Sequence, residues 1–276
     1  SDPYFAQMHQ AISDVLFSYG YLMLSAATEG SLELEQECLA KVRSLNPSGV
    51  LMYTAHPTVP EGWSSYLTEA PMLFLSGNRL VGEKKNMTAL SIDRRTIGAQ
   101  AAAYLWETGC RNFIYLCDGP KHLDGEYWAG IQSVAETNGG SCRLCFSSRS
   151  IEDAARELDK VLDPSAPAAD CVLTQSNLQA AGVLSALRAR GLAVPEQVSV
   201  VGWNDSRFLE YLTPPLASVS IPMARIGQKA AEIILANLND GPTVLKAYVQ
   251  EEIILRESFA PVRPVRSGRE NRLPER

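Results

Sequence analysis

The sequence predicts an α/β fold of two doubly wound parallel-sheet lobes, and three observations carry the prediction. Apolar segments of strand length alternate with amphipathic segments of helical length along nearly the whole chain. The run Val198-Ser199-Val200-Val201-Gly202-Trp203 is rich in β-branched residues without polar alternation, as suits a parallel strand buried on both faces. It delivers Trp203, Asn204 and Asp205 to its carboxyl end, the side on which open α/β sheets bind ligands.

The elements follow in order. Phe5, Met8, Ile12, Val15, Leu16 and Tyr19 recur at three- and four-residue steps and stop at Gly20, which gives a helix over 4–19. Tyr21–Ser25 reads as a strand, 32–45 as a helix with Leu34, Cys38, Leu39 and Val42 inward, and 49–53, 71–75 and 89–92 as strands that close a first lobe. A second lobe repeats the rhythm: helix 96–108, strand 112–117, helix 126–138, strand 142–146, helix 152–162, strand 170–174, helix 178–190 and strand 198–203. Strands spaced regularly by helices imply parallel pairing through right-handed crossovers. The pair Pro214-Pro215 forces an extended loop. A helix over 223–239 and a strand near 246–255 follow, and the Arg-, Pro- and Glu-rich tail over 261–276 reads as disordered.

Composition narrows the function. A chain of 276 residues with 46% hydrophobic and 20% charged residues has the make-up of a globular protein large enough for two cores. No apolar run reaches the ~18 residues of a membrane span. A formal net charge of -6 argues against a nucleic-acid surface on this segment, so any DNA-binding part lies elsewhere. Cys142-Arg143-Leu144-Cys145 matches half of a zinc site, but no second pair completes it and His9, His56 and His122 are scattered. Cys117 and Cys171 sit in apolar runs, where free Cys behaves as a small hydrophobe, and this favours a reducing cytoplasm. No nucleophile elbow, phosphate loop or metal helix is present, so no catalytic residue, metal or cofactor is assigned. His122, in the loop after strand 112–117, is read as an exposed loop residue without an identifiable catalytic partner.

Val198–Asp205 followed by Leu212-Thr213-Pro214-Pro215-Leu216-Ala217-Ser218-Val219 resembles the "VSVVGxDD…PPLTTV" stretch of the LacI/GalR family of bacterial transcriptional regulators, in their effector-binding and dimerisation core. The resemblance extends from Ser1 to about Phe259. It implies a periplasmic-binding-protein-like type I architecture with crossovers near Asp93, Ile221 and Val249. The N-terminal lobe would then comprise 1–92 and 222–248, the C-terminal lobe 93–221 and 249–260. Ser1-Asp2-Pro3-Tyr4-Phe5 matches the family's "NPxF" loop, which an apolar strand precedes, so at least one strand is expected upstream of Ser1.

The same resemblance implies a ligand site. Tyr4 and Phe5 occupy the loop that packs on the effector, although Phe5 also starts a helical stripe. Asp93 matches the aspartate at the lobe crossover, where accepting ligand hydroxyls and capping helix 96–108 are both open roles. Tyr127, in Tyr127-Trp128-Ala129-Gly130-Ile131, stands where the family's "RxxGF" has an arginine; a phenol offers one donor and one acceptor in place of five donors and a charge. Ser176-Asn177 replaces the family's "ND" pair. Phe146 aligns with a ring-stacking aromatic, and Ile221 replaces a frequent glutamine. Trp203 is either a stacking face or core, while Asn204 and Asp205, polar side chains closing an apolar strand, must find partners.

The resemblance implies the effector-binding, dimerising core of a LacI/GalR-like transcriptional regulator, and the departures at Tyr127, Ser176 and Asn177 point to a neutral sugar, polyol or nucleoside as its effector. By the resemblance, the effector sits between the lobes, and a homodimer carries helix-turn-helix headpieces, absent here, to operator DNA. The alternative is a periplasmic sugar-binding protein of a transport system, since one fold serves both roles; an enzyme on this fold is a third.

Overall fold

A computed structural model describes residues 3–28, 31–53, 70–76, 87–118, 126–162, 169–240 and 252–261, with the backbone alone at 3–5, 76, 91 and 240. The helices are α1 (Pro3–Ser18), α2 (Leu32–Ser44), α3 (Arg94–Glu107), α4 (Glu126–Thr137), α5 (Ile151–Val161), α6 (Asn177–Ala189) and α7 (Met223–Asp240). The strands are β1 (Val50–Tyr53), β2 (Met72–Ser76), β3 (Met87–Ser91), β4 (Asn112–Cys117), β5 (Ser141–Phe146), β6 (Cys171–Thr174), β7 (Ser199–Trp203), β8 (Ala217–Ser220) and β9 (Glu252–Ile254). The chain divides into two compact units: Ser1–Arg94, Lys121–Glu126 and Ser220–Glu252 in one, and Arg95–Pro120, Tyr127–Val219 and Ile253–Arg276 in the other.

In the first unit β1, β2 and β3 pair in that order, all parallel, with Leu51 beside Leu73 and Leu73 beside Thr88. Helix α1 buries Met8, Ala11, Ile12 and Leu16, the stripe its periodicity requires. That stripe meets α7 so closely that a Cβ on Gly227 would collide with the Met8 carbonyl. Asn237 of α7 donates to the Thr88 hydroxyl at 2.9 Å, a satisfied polar contact inside the unit. Ser31 caps α2 by accepting the Leu34 N–H at 3.3 Å.

Three expectations fail in this unit. Leu34, expected inward on α2, is 43% exposed, while Leu39 on the same helix is buried. Tyr19, expected on the buried stripe, is 68% exposed, because the helix ends at Ser18 and Gly20 turns the chain with φ +83°. The strand expected at Tyr21–Ser25 is not formed: the segment pairs with no strand among the described residues, and Leu22 and Leu24 are 82% and 81% exposed. A strand exists only through its ladder, which local sequence does not supply.

In the second unit six strands run in the order β5-β4-β6-β7-β8-β9, with β4 to β8 and β5 to β4 parallel. Helices α5 and α6 cover the face that carries Ile114, Leu116, Val172 and Val200. Tyr115 lies on the opposite face, where it meets Trp128 of α4. Helices α3 and α4 touch backbone to backbone: a Cβ on Gly98 would strike the Tyr127 carbonyl, and one on Gly130 would strike the Arg95 carbonyl and lie 2.6 Å from the Ala99 nitrogen. The last strand is described only over Glu252–Ile254; residues 246–251 and the tail from 262 lie outside the described residues.

Candidate ligand-binding site

The parallel strands β4 to β8 end together at one carboxyl rim, and the residues there divide into a structural set and an unsatisfied set. Ser176, expected as a ligand contact, caps α6. Its hydroxyl accepts the Gln179 N–H at 3.2 Å, and the Gln179 side chain accepts the Ser176 N–H at 3.0 Å, a reciprocal capping box. The Gln179 amide also donates to the Ser147 carbonyl and hydroxyl at 3.2 and 3.0 Å, which ties α6 to the end of β5.

Asn177 follows in the first turn of α6. Its Nδ2 donates to the Asn204 carbonyl at 2.7 Å and to the Ser206 hydroxyl at 3.4 Å, while its buried Oδ1 has no partner among the described residues. Asn204 turns the chain out of β7 in the left-handed region, φ +69°, a conformation asparagine tolerates better than most residues. Asp205 is held: its Oδ1 accepts from the Ser218 hydroxyl at 2.7 Å and from Arg256 Nη1 at 2.8 Å. Arg256 also donates to the Leu216 carbonyl at 2.9 Å and lies 3.7 Å from Glu210.

On the other face Trp203 is buried, 1% exposed, at the centre of an aromatic group. Tyr127 meets it edge-on with centroids 4.9 Å apart, and Tyr115 edge-on at 6.2 Å; Trp128 stacks on Tyr115 at 6.4 Å. The Trp203 indole N–H has no acceptor among the described residues. Phe146, at the end of β5, is 41% exposed. Tyr127 is half-buried in the first turn of α4, set in place by the glycine contact with α3.

The structure therefore brings Tyr127, Phe146, Ser176, Asn177, Trp203, Asn204 and Asp205 to one rim. Asp93 is exposed immediately before α3, within the first unit. The side chains of Tyr4 and Phe5, and His56 and His122, lie outside the described residues.

Two rim residues were not visible in the sequence. Arg256 gives no local signal, since its partners Asp205 and Ser218 are 51 and 38 residues away. Asp118, one residue past β4, pairs with Arg149 Nε at 2.5 Å, and its own N–H is accepted by the Gln175 side chain at 2.9 Å. The apolar run before it, Phe113–Cys117, disguised it as an ordinary strand end.

The cysteines stand apart from the rim. The described thiols are free, and Cys142 and Cys145, three apart on β5, point to opposite faces of the sheet, which no shared metal ion bridges. Burial pushes both thiols up to about 12.

Residues 102–259, more than half of the chain, match the periplasmic binding protein-like domain. The chain is 27% identical over 246 residues to the ribose operon repressor of Bacillus subtilis, covering 88% of this chain and 72% of that protein. It is 25% identical over 266 residues to the HTH-type transcriptional regulator CelR of Thermobifida fusca, covering 94% and 76%. Its fold is shared with a LacI family transcriptional regulator from Enterococcus faecium with bound ribose, at a TM-score of 0.77, 19% identity and coverage of 95% and 96%. The chain thus belongs to the periplasmic binding protein-like domain family, among the LacI/GalR-type regulators.

Proposed function

We propose that this chain is the effector-binding and dimerisation core of a transcriptional repressor that senses an uncharged sugar or related polyol at the carboxyl rim of its six-stranded sheet. The observation that carries the reading is the rim itself. Buried polar atoms without partners and an exposed aromatic face gather at the strand ends, while Arg149 and Arg256 are already paired with Asp118 and Asp205. An acidic ligand finds neither of these guanidinium groups unpaired, and the family's arginine is here Tyr127.

Ribose in the name of one relative and bound to another regulator of this fold supports a sugar. Operator DNA is then contacted by a headpiece outside this chain, and a homodimer sets the spacing of two headpieces. The relatives named are regulators, which favours sensing over catalysis and transport. Free cysteines, and no helix among the described residues long and apolar enough to cross a membrane, fit a cytoplasmic protein.

The test is thermal unfolding against D-ribose, D-glucose, D-galactose, D-xylose and cellobiose, beside ribose 5-phosphate and glucuronic acid. A ligand at about 100 times its Kd adds about 2.7 kcal/mol to native stability. A rise with one or more neutral sugars is expected. A rise with the phosphate or the acid alone contradicts the neutral-ligand reading, and a flat response to every compound contradicts sugar sensing.

A further inference from the structure

Asp118, Asn177 and Trp203 share a property that marks no ordinary structural residue. Each has a buried polar atom with no hydrogen-bond partner among the described residues: Asp118 Oδ1, Asn177 Oδ1 and Trp203 Nε1. Buried polar groups are nearly always satisfied, because desolvating one without a partner costs free energy. All three stand just past or at the carboxyl ends of β4, β6 and β7, neighbours in the sheet. Two strand spacings of ~4.8 Å place the three strand ends within about 10 Å of rim.

The faces matter. Asp118 continues the face of Leu116, and Asn177 packs against Gly202 on that same side, its Oδ1 3.0 Å from where a Cβ on Gly202 would stand. Trp203 belongs to the opposite face with Tyr115 and Tyr127. The two faces meet only beyond the strand ends, on the side where open α/β sheets bind ligands. Their other polar atoms are already fixed: Asp118 Oδ2 by Arg149, Asn177 Nδ2 by the Asn204 carbonyl and Ser206. The orphaned atoms are thus held in place by neighbours that do not use them.

We propose that Asp118 is a ligand-contacting residue of this site, and that Asp118 Oδ1, Asn177 Oδ1 and Trp203 Nε1 form a two-acceptor, one-donor set that recognises neighbouring hydroxyls of an uncharged polyol. A hydroxyl donates to each oxygen, and a ring or hydroxyl oxygen accepts from the indole. A carboxylate or phosphate group offers no donor to the two oxygens. This rests on the sugar-sensing reading and sharpens it to a hydrogen-bonding pattern.

Calorimetric titration decides it, with the neutral sugar that stabilises the protein most, its monodeoxy analogues, and the variants Asp118→Asn and Arg149→Gln. In the Asn variant the amide oxygen keeps Arg149 and a donor replaces the acceptor toward the ligand. Affinity is expected to fall at least tenfold in Asp118→Asn, and by less in Arg149→Gln, which removes the group that holds Asp118 but not the accepting Oδ1 itself. One monodeoxy analogue should bind wild type and Asp118→Asn equally, because it lacks the hydroxyl that Asp118 holds; a purely structural role for Asp118 leaves that gap open.

Sugar binding that Asp118→Asn leaves within twofold overturns the inference while the sugar-sensing reading stands. Should the variant not fold, wild type decides alone: tighter binding of glucuronic acid than of D-glucose overturns the acceptor set. If no sugar of the panel binds wild type, both readings fall.

Discussion

The two ends of the six-stranded sheet use the same strands for opposite purposes. At the amino end the polar groups close on one another. Asp170 Oδ2 accepts the Arg111 N–H at 2.6 Å and the Asn112 N–H at 2.8 Å, and Asn112 Oδ1 accepts from the Ser141 hydroxyl at 2.8 Å. Arg111 donates to the carbonyls of Trp106 and Cys110 at 2.7 and 2.8 Å and lies 4.0 Å over the Trp106 ring. At the carboxyl end three buried polar atoms remain without partners among the described residues. The contrast teaches that one fold can close its polar groups at one rim and leave them open at the other: the amino rim holds β4, β5 and β6 in register, and the carboxyl rim leaves hydrogen-bonding capacity unused.

The largest effect should come from breaking the closed end. Asp170→Ala strands two backbone N–H groups in a part-buried lock, and about 2–4 kcal/mol of unfolding free energy should disappear in urea titration. Sugar affinity should change less than twofold. An equal loss of affinity would break the comparison.

Glycine substitutions sharpen it. Gly130→Ala forces α4 from α3 and Gly140→Ala forces Trp106 from Arg111, so each should cost about 1–3 kcal/mol. Only Gly130→Ala moves Tyr127, so only it should also weaken sugar binding in calorimetry. Ser176→Ala, which opens the α6 capping box, should cost about 1 kcal/mol by the same unfolding assay.

A smaller effect appears at alkaline pH. Burial raises the Cys142 and Cys145 thiols to about 12 from an ordinary value near 9. The folded state therefore holds protons that the unfolded state releases, and stability is full below about pH 9 and is lost as pH rises toward 12. Replacing both with Ala should flatten that decline between pH 9 and 10.5 in thermal unfolding. Both thiols should also react slowly with Ellman's reagent at pH 8 while the protein is folded.

Much of the fold was legible because its signals are local. The β-branched run before Trp203 formed β7, and the Met8, Ile12 and Leu16 stripe formed the inner face of α1. The capping-box spacing Ser176-x-x-Gln179 was also present to be read, and it accounts for Ser176 without a ligand. What failed was pairwise. Tyr21–Ser25 has the composition of a strand but no neighbour to ladder with among the described residues. Asp205 looked available for a ligand because Arg256, its partner, lies 51 residues on. Asp118 gave no sign because an orphaned oxygen is a fact about surroundings, not about sequence.

The central claim is that the carboxyl rim, and Trp203 within it, receives the ligand. The four tryptophans, Trp63, Trp106, Trp128 and Trp203, give four indole N–H signals in a heteronuclear NMR spectrum, assignable by single Trp→Phe variants. Titration with the stabilising neutral sugar should move the Trp203 signal downfield as its N–H gains an acceptor, and leave Trp106, at the closed end, in place. A spectrum in which the Trp106 signal shifts and the Trp203 signal does not would contradict the account.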